Sequence, residues 1–118
     1  MIKYSLVIPC YNEAASINVL LDKINVLLQK KEVQVVLVNN GSIDDTHKVF
    51  HLYKPNKKNL KYIRLMNNKG YGYGIIQGLK ATDGEIIGWT HADLQTNPLD
   101  FLKAIELIDD NFTFVKGN

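Results

Sequence analysis

The sequence predicts an α/β fold, a three-layer α/β/α, Rossmann-like domain around a mainly parallel sheet. Three observations predict it. Short apolar runs rich in β-branched residues alternate with segments of helical period. One run, VQVVLVN, is apolar almost throughout, as a strand covered on both faces must be. Each run also gives way to a stretch of polar, aromatic or glycine residues that the strand itself does not need.

Tyr4–Pro9 (YSLVIP) reads as the first strand. Ile17, Leu20, Leu21, Ile24, Leu27 and Leu28 then recur at i, i+3, i+4 and i+7, the stripe of an amphipathic helix. Val33–Asn39 is the second strand. Ser42 followed three residues later by Asp45 resembles a capping box, with Asp in the place of Glu or Gln, and predicts a helix running to about Tyr53. Lys54–Lys61 is a polar, lysine-rich loop and Tyr62–Met66 a third strand. Gly72–Thr82 fits a third helix and Glu85–Thr90 a fourth strand. Asn97-Pro98 supplies an N-cap and an N1 proline to a fourth helix, with Phe101, Leu102, Ile105 and Ile108 on one side. Asn111–Lys116 predicts a fifth strand. Right-handed βαβ crossovers follow from the alternation.

The 118 residues supply one core, and the composition is that of an ordinary globular domain. A formal charge of +2, carried almost wholly by lysine with Arg64 the only arginine, argues against a nucleic-acid partner. A single cysteine, Cys10, cannot form an internal disulfide and suits a reducing, cytoplasmic compartment. The start of the chain lacks the features of a secretory signal, and no apolar run approaches a membrane span.

Open α/β sheets bind ligands beyond the carboxyl ends of their strands. Those ends read Pro9-Cys10-Tyr11-Asn12-Glu13, Asn39-Asn40-Gly41-Ser42, Asn67-Asn68-Lys69-Gly70-Tyr71-Gly72 and His91-Ala92-Asp93-Leu94-Gln95. Any one is readable as a plain turn; four on one sheet edge predict a site. A dinucleotide fingerprint would need G-x-G-x-x-G after the first strand, where PCYNE stands, and no G-K-[ST] tripeptide marks a P-loop. In the last loop His91, Asp93 and Gln95 alternate, so an extended backbone points them to one side. That makes a sparse site for Mg²⁺ or Mn²⁺ with water and phosphate completing the shell; a loop that merely caps the following helix is the other reading.

VIPCYNE, VNNGSIDDT, NKGYGYGIIQGL and GWTHADLQTNP, in this order and spacing, resemble the nucleotide-binding half of family 2 glycosyltransferases. The similarity is greatest to polyprenyl-phosphate sugar transferases, dolichol-phosphate mannose synthase among them. It implies a GT-A fold over residues 3–117 and a nucleoside diphosphate sugar as donor, with a polyprenyl phosphate or a glycan as acceptor. By this resemblance Pro9, Tyr11 and Glu13 hold base and ribose. Asn39 and Asn40 stand where the family has two aspartates, one of them reading the base. Asn68, Lys69 and Gly70 lie near the nucleotide, in the family's glycine-containing segment with Gly72 and Gly78. Asp93 and Gln95 keep the family's metal motif while His91 replaces its first aspartate, which tilts metal preference towards Mn²⁺. The reaction implied is an inverting displacement at the anomeric carbon, with the divalent ion assisting the leaving diphosphate.

The catalytic base and acceptor segment of the family lie beyond the metal loop. The expectation is therefore a single domain over residues 1–118 that forms the front of a longer enzyme. Such a piece would lack a catalytic residue of its own and be inactive alone, the base lying beyond Asn118. The longer protein would associate peripherally with the cytoplasmic face of a membrane, and an exposed final strand edge would allow a homodimer. The alternative is a non-catalytic nucleotide-binding or regulatory α/β module, a decayed transferase, since Asn39, Asn40 and His91 are neutral at acidic family positions. A flavodoxin-like module is disfavoured because its phosphate loop is absent. Among weaker signals, Cys10 reads as a packed strand-end residue rather than a nucleophile. His47 and His51, at i and i+4, read as a solvated helix face rather than a metal pair. The Lys54–Lys61 loop reads as solvated rather than lipid-binding.

Overall fold

The computed structural model describes residues 1–90 and 98–106. Its elements run β1 (Tyr4–Cys10), α1 (Ile17–Leu28), β2 (Val33–Asn40), α2 (Thr46–Tyr53), β3 (Leu60–Leu65), α3 (Tyr71–Lys80), β4 (Ile86–Trp89) and α4 (Asp100–Glu106). The alternation expected from the sequence is present, with ends shifted by one to three residues; Pro98, expected at the first helical position, instead lies in a turn two residues before α4. The expected fifth strand, Ile108 and the Asn97 cap lie outside the described residues.

The strands form one sheet of order β3-β2-β1-β4, parallel at every pairing. Every residue of β1 and β2 is buried, which is why these two strands carry hardly any polar residue before their carboxyl ends. The pleat divides them. Leu6, Ile8, Cys10, Val35 and Leu37 face one layer, where the apolar stripe of α1 packs with Phe50 of α2 and Phe101 of α4. Val7, Val36 and Val38 face the other layer with Ile75 of α3. A one-residue slip of β2 would exchange these sets, so the register is strongly specified.

Helix α3 crosses β1 and β2 closely because it presents glycine to them. A Cβ on Gly78 would lie 2.3 Å from Val7 Cγ1 and 3.0 Å from Val38 Cγ2. At the amino ends of the strands, buried Ser5 donates from Oγ to Gln34 Oε1 at 2.7 Å and accepts from the Gly84 amide at 2.9 Å. Gln34 Nε2 in turn donates to Asp83 at 2.8 Å. These bonds satisfy the polar residues inside a buried sheet and hold β4 against β1.

Connections β1→β2→β3 run outward in one direction, and the chain then returns to place β4 on the other side of β1. The sheet thus has a topological switch point between β1 and β4, and the crevice at the carboxyl ends there is where such sheets take ligands.

Candidate functional site

The two asparagines that end β2 separate at the pleat. Asn39 turns towards α1 and α2, 1% exposed, and is fully engaged. Its Oδ1 accepts from the Ser42 amide at 3.1 Å and its Nδ2 donates to the Tyr62 hydroxyl at 2.9 Å. Asn40 turns towards α3, where its Nδ2 donates to the Gly70 carbonyl at 3.1 Å. Gly74 makes room for it: a Cβ there would lie 3.0 Å from Asn40 Nδ2. Asn40 Oδ1 is buried and has no hydrogen-bond partner among the described residues. Leaving a buried acceptor unpaired costs about 1–3 kcal/mol.

The turn after β1 is tied to the loop after β2. Asn12 sits at φ 53°, a left-handed conformation that asparagine tolerates better than most residues. Its Oδ1 accepts from the Ile43 amide at 2.9 Å, and its own amide donates to Ser42 Oγ at 3.0 Å. The Glu13 amide donates to Thr46 Oγ1 at 2.8 Å and the Ala14 amide to Asp44 Oδ2 at 3.3 Å. Glu13 Oε2 accepts from Ser16 Oγ at 2.9 Å, which braces the entry to α1.

These bonds correct the expected helix start. Ser42 does not open a capping box: its hydroxyl receives Asn12, and α2 begins only at Thr46, with no side-chain cap from Asp45. Asp44 Oδ1 takes the Thr46 amide at 2.9 Å and also the Thr46 hydroxyl, an Asx turn in place of the box. Desolvation pushes the Asp44 carboxyl up, but the bonds from Thr46 and Ala14 outweigh it and hold the carboxyl below its ordinary value. A carboxylate whose folded pKa is depressed stabilises the fold above its unfolded value and loses that contribution as pH falls through the folded one. Asp44→Ala is therefore expected to flatten the acid limb of a stability-against-pH curve below about pH 4, while lowering stability at pH 7. Urea midpoints across that range check this.

The loop after β3 closes the edge from the other side. Gly41, at φ 73°, lies so near it that a Cβ would come within 2.4 Å of the Asn68 amide nitrogen. Asn68 Oδ1 accepts from the Gly70 amide at 2.8 Å, turning the chain into α3. Lys69 Nζ stands 5.2 Å from the Tyr73 ring centroid, and Tyr11 and Tyr71 are each more than two-fifths exposed nearby in sequence to these turns.

The strand ends expected to act together are thus brought together: Pro9, Tyr11 and Glu13 after or within β1, Asn39 and Asn40 at the end of β2, and Asn68, Lys69 and Gly70 before α3. His91, Asp93 and Gln95 lie outside the described residues. Among the described residues no group of three His, Cys, Asp or Glu side chains could hold a metal. Burial, with Glu13 and Asp44 adding to it, pushes the Cys10 thiol up to about 12, so it is inert packing. His51 is exposed, but half-buried His47 is not a solvated residue: its Nδ1 lies 2.8 Å from the Tyr62 hydroxyl. Asp44, Thr46 and Tyr62 escape a reading of the strand ends alone, and Asn12, within the first of those ends, is given no role by it. Only the Asp44-Asp45-Thr46 run carried a turn signal that could have exposed one of them.

Known proteins are similar to this chain in sequence and fold. The model of the family described as glycosyl transferase family 2 matches residues 5–118. A dolichol-phosphate mannosyltransferase of Pyrococcus furiosus is 32% identical over 117 residues, 98% of this chain and 33% of its own length. An undecaprenyl-phosphate 4-deoxy-4-formamido-L-arabinose transferase of Yersinia enterocolitica is 26% identical over 96% of this chain and 36% of its own. The chain thus spans about a third of the length of the curated relatives it matches. Among solved structures, residues 1–349 of TarS from S. aureus superpose with a TM-score of 0.70 at 31% identity, over 92% of this chain and 33% of that one. Glucosyl-3-phosphoglycerate synthase of Mycobacterium tuberculosis, crystallised with Mn²⁺, UDP and glucosyl-3-phosphoglycerate, shares the fold. Its TM-score is 0.69 at 24% identity, covering 92% and 40% of the two chains. With a parallel α/β sheet, linked strand-end loops and a family match over nearly its whole length, this chain belongs to glycosyl transferase family 2.

Proposed function

We propose that this chain is the donor-binding part of a glycosyltransferase that moves a sugar from a nucleoside diphosphate to a lipid-phosphate or glycan acceptor. The observation that carries the reading is the buried, unpaired Asn40 Oδ1 at the carboxyl end of the sheet. With its Nδ2 committed to Gly70, Asn40 offers the site an acceptor only. That suits a base with a ring N–H, the N3–H of uracil or the N1–H of guanine, and penalises cytosine, whose N3 is itself an acceptor. Tyr11 supplies a face for base and ribose, Glu13 a carboxylate for a ribose hydroxyl, and Lys69 a cation for the diphosphate, while Pro9 is buried in β1 and leads into the turn that carries Tyr11.

Asp93, with Gln95 and His91, would hold Mg²⁺ or Mn²⁺, a hard donor set that an imidazole shifts towards Mn²⁺. When bound, the ion supplies charge neutralisation for the departing diphosphate. The polyprenyl-phosphate relatives support the acceptor class, and the synthase crystallised with Mn²⁺ and UDP supports the donor and metal. No helix among the described residues is long and apolar enough to cross a membrane.

A second reading, a nucleotide-binding module without transfer activity, is favoured by Asn39. Its Nδ2 bond to Tyr62 is one that the family's aspartate could not donate, so the neutral residue is built into the packing.

Thermal unfolding of the chain with UDP, GDP or CDP, each with and without Mn²⁺, tests the proposal. Ligand at 100 times its Kd stabilises by about 2.7 kcal/mol, on the order of 10 °C for a domain this size. UDP or GDP with Mn²⁺ is expected to raise Tm and CDP to leave it nearly unchanged, while Asp93→Ala removes the Mn²⁺-dependent part. No shift with any of the three in a folded sample would refute the reading.

A further inference from the structure

The hydrogen bonds around Asn39 continue away from the strand ends, and the first two have a fixed direction. The Ser42 backbone amide can only donate, so the atom it meets at 3.1 Å is Asn39 Oδ1. The other arm of that amide is then Nδ2, which must donate to the Tyr62 hydroxyl oxygen at 2.9 Å. The Tyr62 hydroxyl keeps its hydrogen, and His47 Nδ1 stands 2.8 Å away. A neutral His47 with its proton on Nε2 can accept that hydrogen at Nδ1.

Packing holds the rings in place. Tyr62 stacks on Phe50 with centroids 3.8 Å apart and planes within 10°, and Phe50 is 2% exposed. His47 stacks on the other side of the cluster at 5.6 Å from Tyr62, with the His51 ring edge-on at 4.4 Å. The titratable and charged groups facing His47 are His51 of α2 and Tyr62 and Arg64 of β3. Cys10 of β1 stands beyond Tyr62 as a neutral thiol. None is a carboxylate. Burial first, then Arg64 and His51, holds the His47 pKa below its ordinary value.

We infer that Tyr62 and His47 are positioning residues for the nucleotide loop, holding Asn39–Ser42 in its bound form only while His47 is neutral. A proton on Nδ1 would displace the Tyr62 hydrogen from the line to His47. The hydroxyl oxygen would then have to accept from His47 Nδ1 and Asn39 Nδ2 together, which weakens its bond to Asn39. The loss passes to Ser42, whose Oγ receives the Asn12 amide next to Tyr11. Because the folded pKa lies below the ordinary 6.5, the chain is intact above about 6.5 and opens as pH falls through that lower folded value. The reading rests on the proposed donor site for its consequence, a nucleotide affinity that weakens roughly five- to tenfold as His47 takes up its proton, the equivalent of one hydrogen bond.

The test has a ligand-free arm and a ligand arm. In a ¹⁵N-resolved NMR titration of the chain alone, the Ser42 and Asn12 amides are expected to shift with the midpoint of the His47 ring. In Tyr62→Phe, His47 still titrates but those amides no longer follow it. In the second arm UDP affinity is measured at two pH values, one on either side of the His47 midpoint found in the first. His47→Gln keeps a neutral acceptor at any pH, so it is expected to lose the pH dependence beyond that of the UDP phosphates. Tyr62→Phe is expected to bind weakly at both. Amides that ignore His47, or a His47→Gln variant with the pH dependence of the wild type, would overturn the inference. If Tyr62→Phe does not fold, His47→Gln decides alone. Amides that follow His47 in a chain that binds no UDP would support the relay and refute the donor reading.

Discussion

Gly41→Ala is expected to lower the stability of the chain by about 3 kcal/mol or more, since two costs add. At φ 73° a β-carbon carries a left-handed penalty of roughly 1–2 kcal/mol. The same carbon would also stand 2.4 Å from the Asn68 nitrogen and 2.5 Å from the Asn67 carbonyl carbon. These are backbone atoms, so no rotamer change relieves the clash and the loop before α3 must move. That loop brings Gly70 to Asn40, and nucleotide binding is expected to fall with stability. Gly78→Ala is the informative contrast. Its Cβ would press on a valine side chain, an overpacking cost of about 1–3 kcal/mol with the strand-end loops undisturbed. Urea unfolding reads both through the midpoint at unchanged slope. A Gly41→Ala midpoint equal to that of the wild type would mean the two loops are not in contact.

Asn40→Leu separates binding from folding. The side chains have similar shapes, and the loss of the bond to Gly70 is offset by removal of the unpaired buried acceptor, so stability is expected to change by no more than about 1 kcal/mol. Nucleotide affinity, by contrast, is expected to fall about tenfold or more, because leucine leaves the ring N–H of the base without an acceptor in a dry site. Calorimetric titration with UDP and a urea midpoint on the same sample give the two numbers. Unchanged UDP affinity would remove Asn40 from the site.

Much of this was legible in the sequence, for reasons that can be traced. Strands β1 and β2 are buried on both faces, so their apolar runs have no competing interpretation, and the stripe of α1 is nearly uninterrupted. The location of the proposed site rests on the residues left over at the strand ends. What stayed hidden were choices between equivalent hydrogen bonds. Ser42 can cap a helix or receive a neighbouring turn, and only the approach of Asn12, thirty residues earlier in the chain, decides for the turn. Asn39 and Asn40 look alike in the sequence, yet the pleat commits one to Tyr62 and leaves the other with an unpaired oxygen. Tyr62 itself alternates properly in β3, so its apolar ring accounts for its position and nothing in the pattern announces its hydroxyl. His47 was read with His51 because spacing along a helix is visible in sequence, whereas the partner across the layer is not.

The most direct test is an amide footprint of UDP with Mn²⁺ on the chain by NMR. The account predicts that the shifted resonances cluster at residues 11–14, 39–42 and 68–72, with Asn40 and Gly70 among the largest. Shifts confined to the opposite end of the sheet, around Lys31, Lys57 and Lys61, or no saturable shifts in a folded sample, would contradict it.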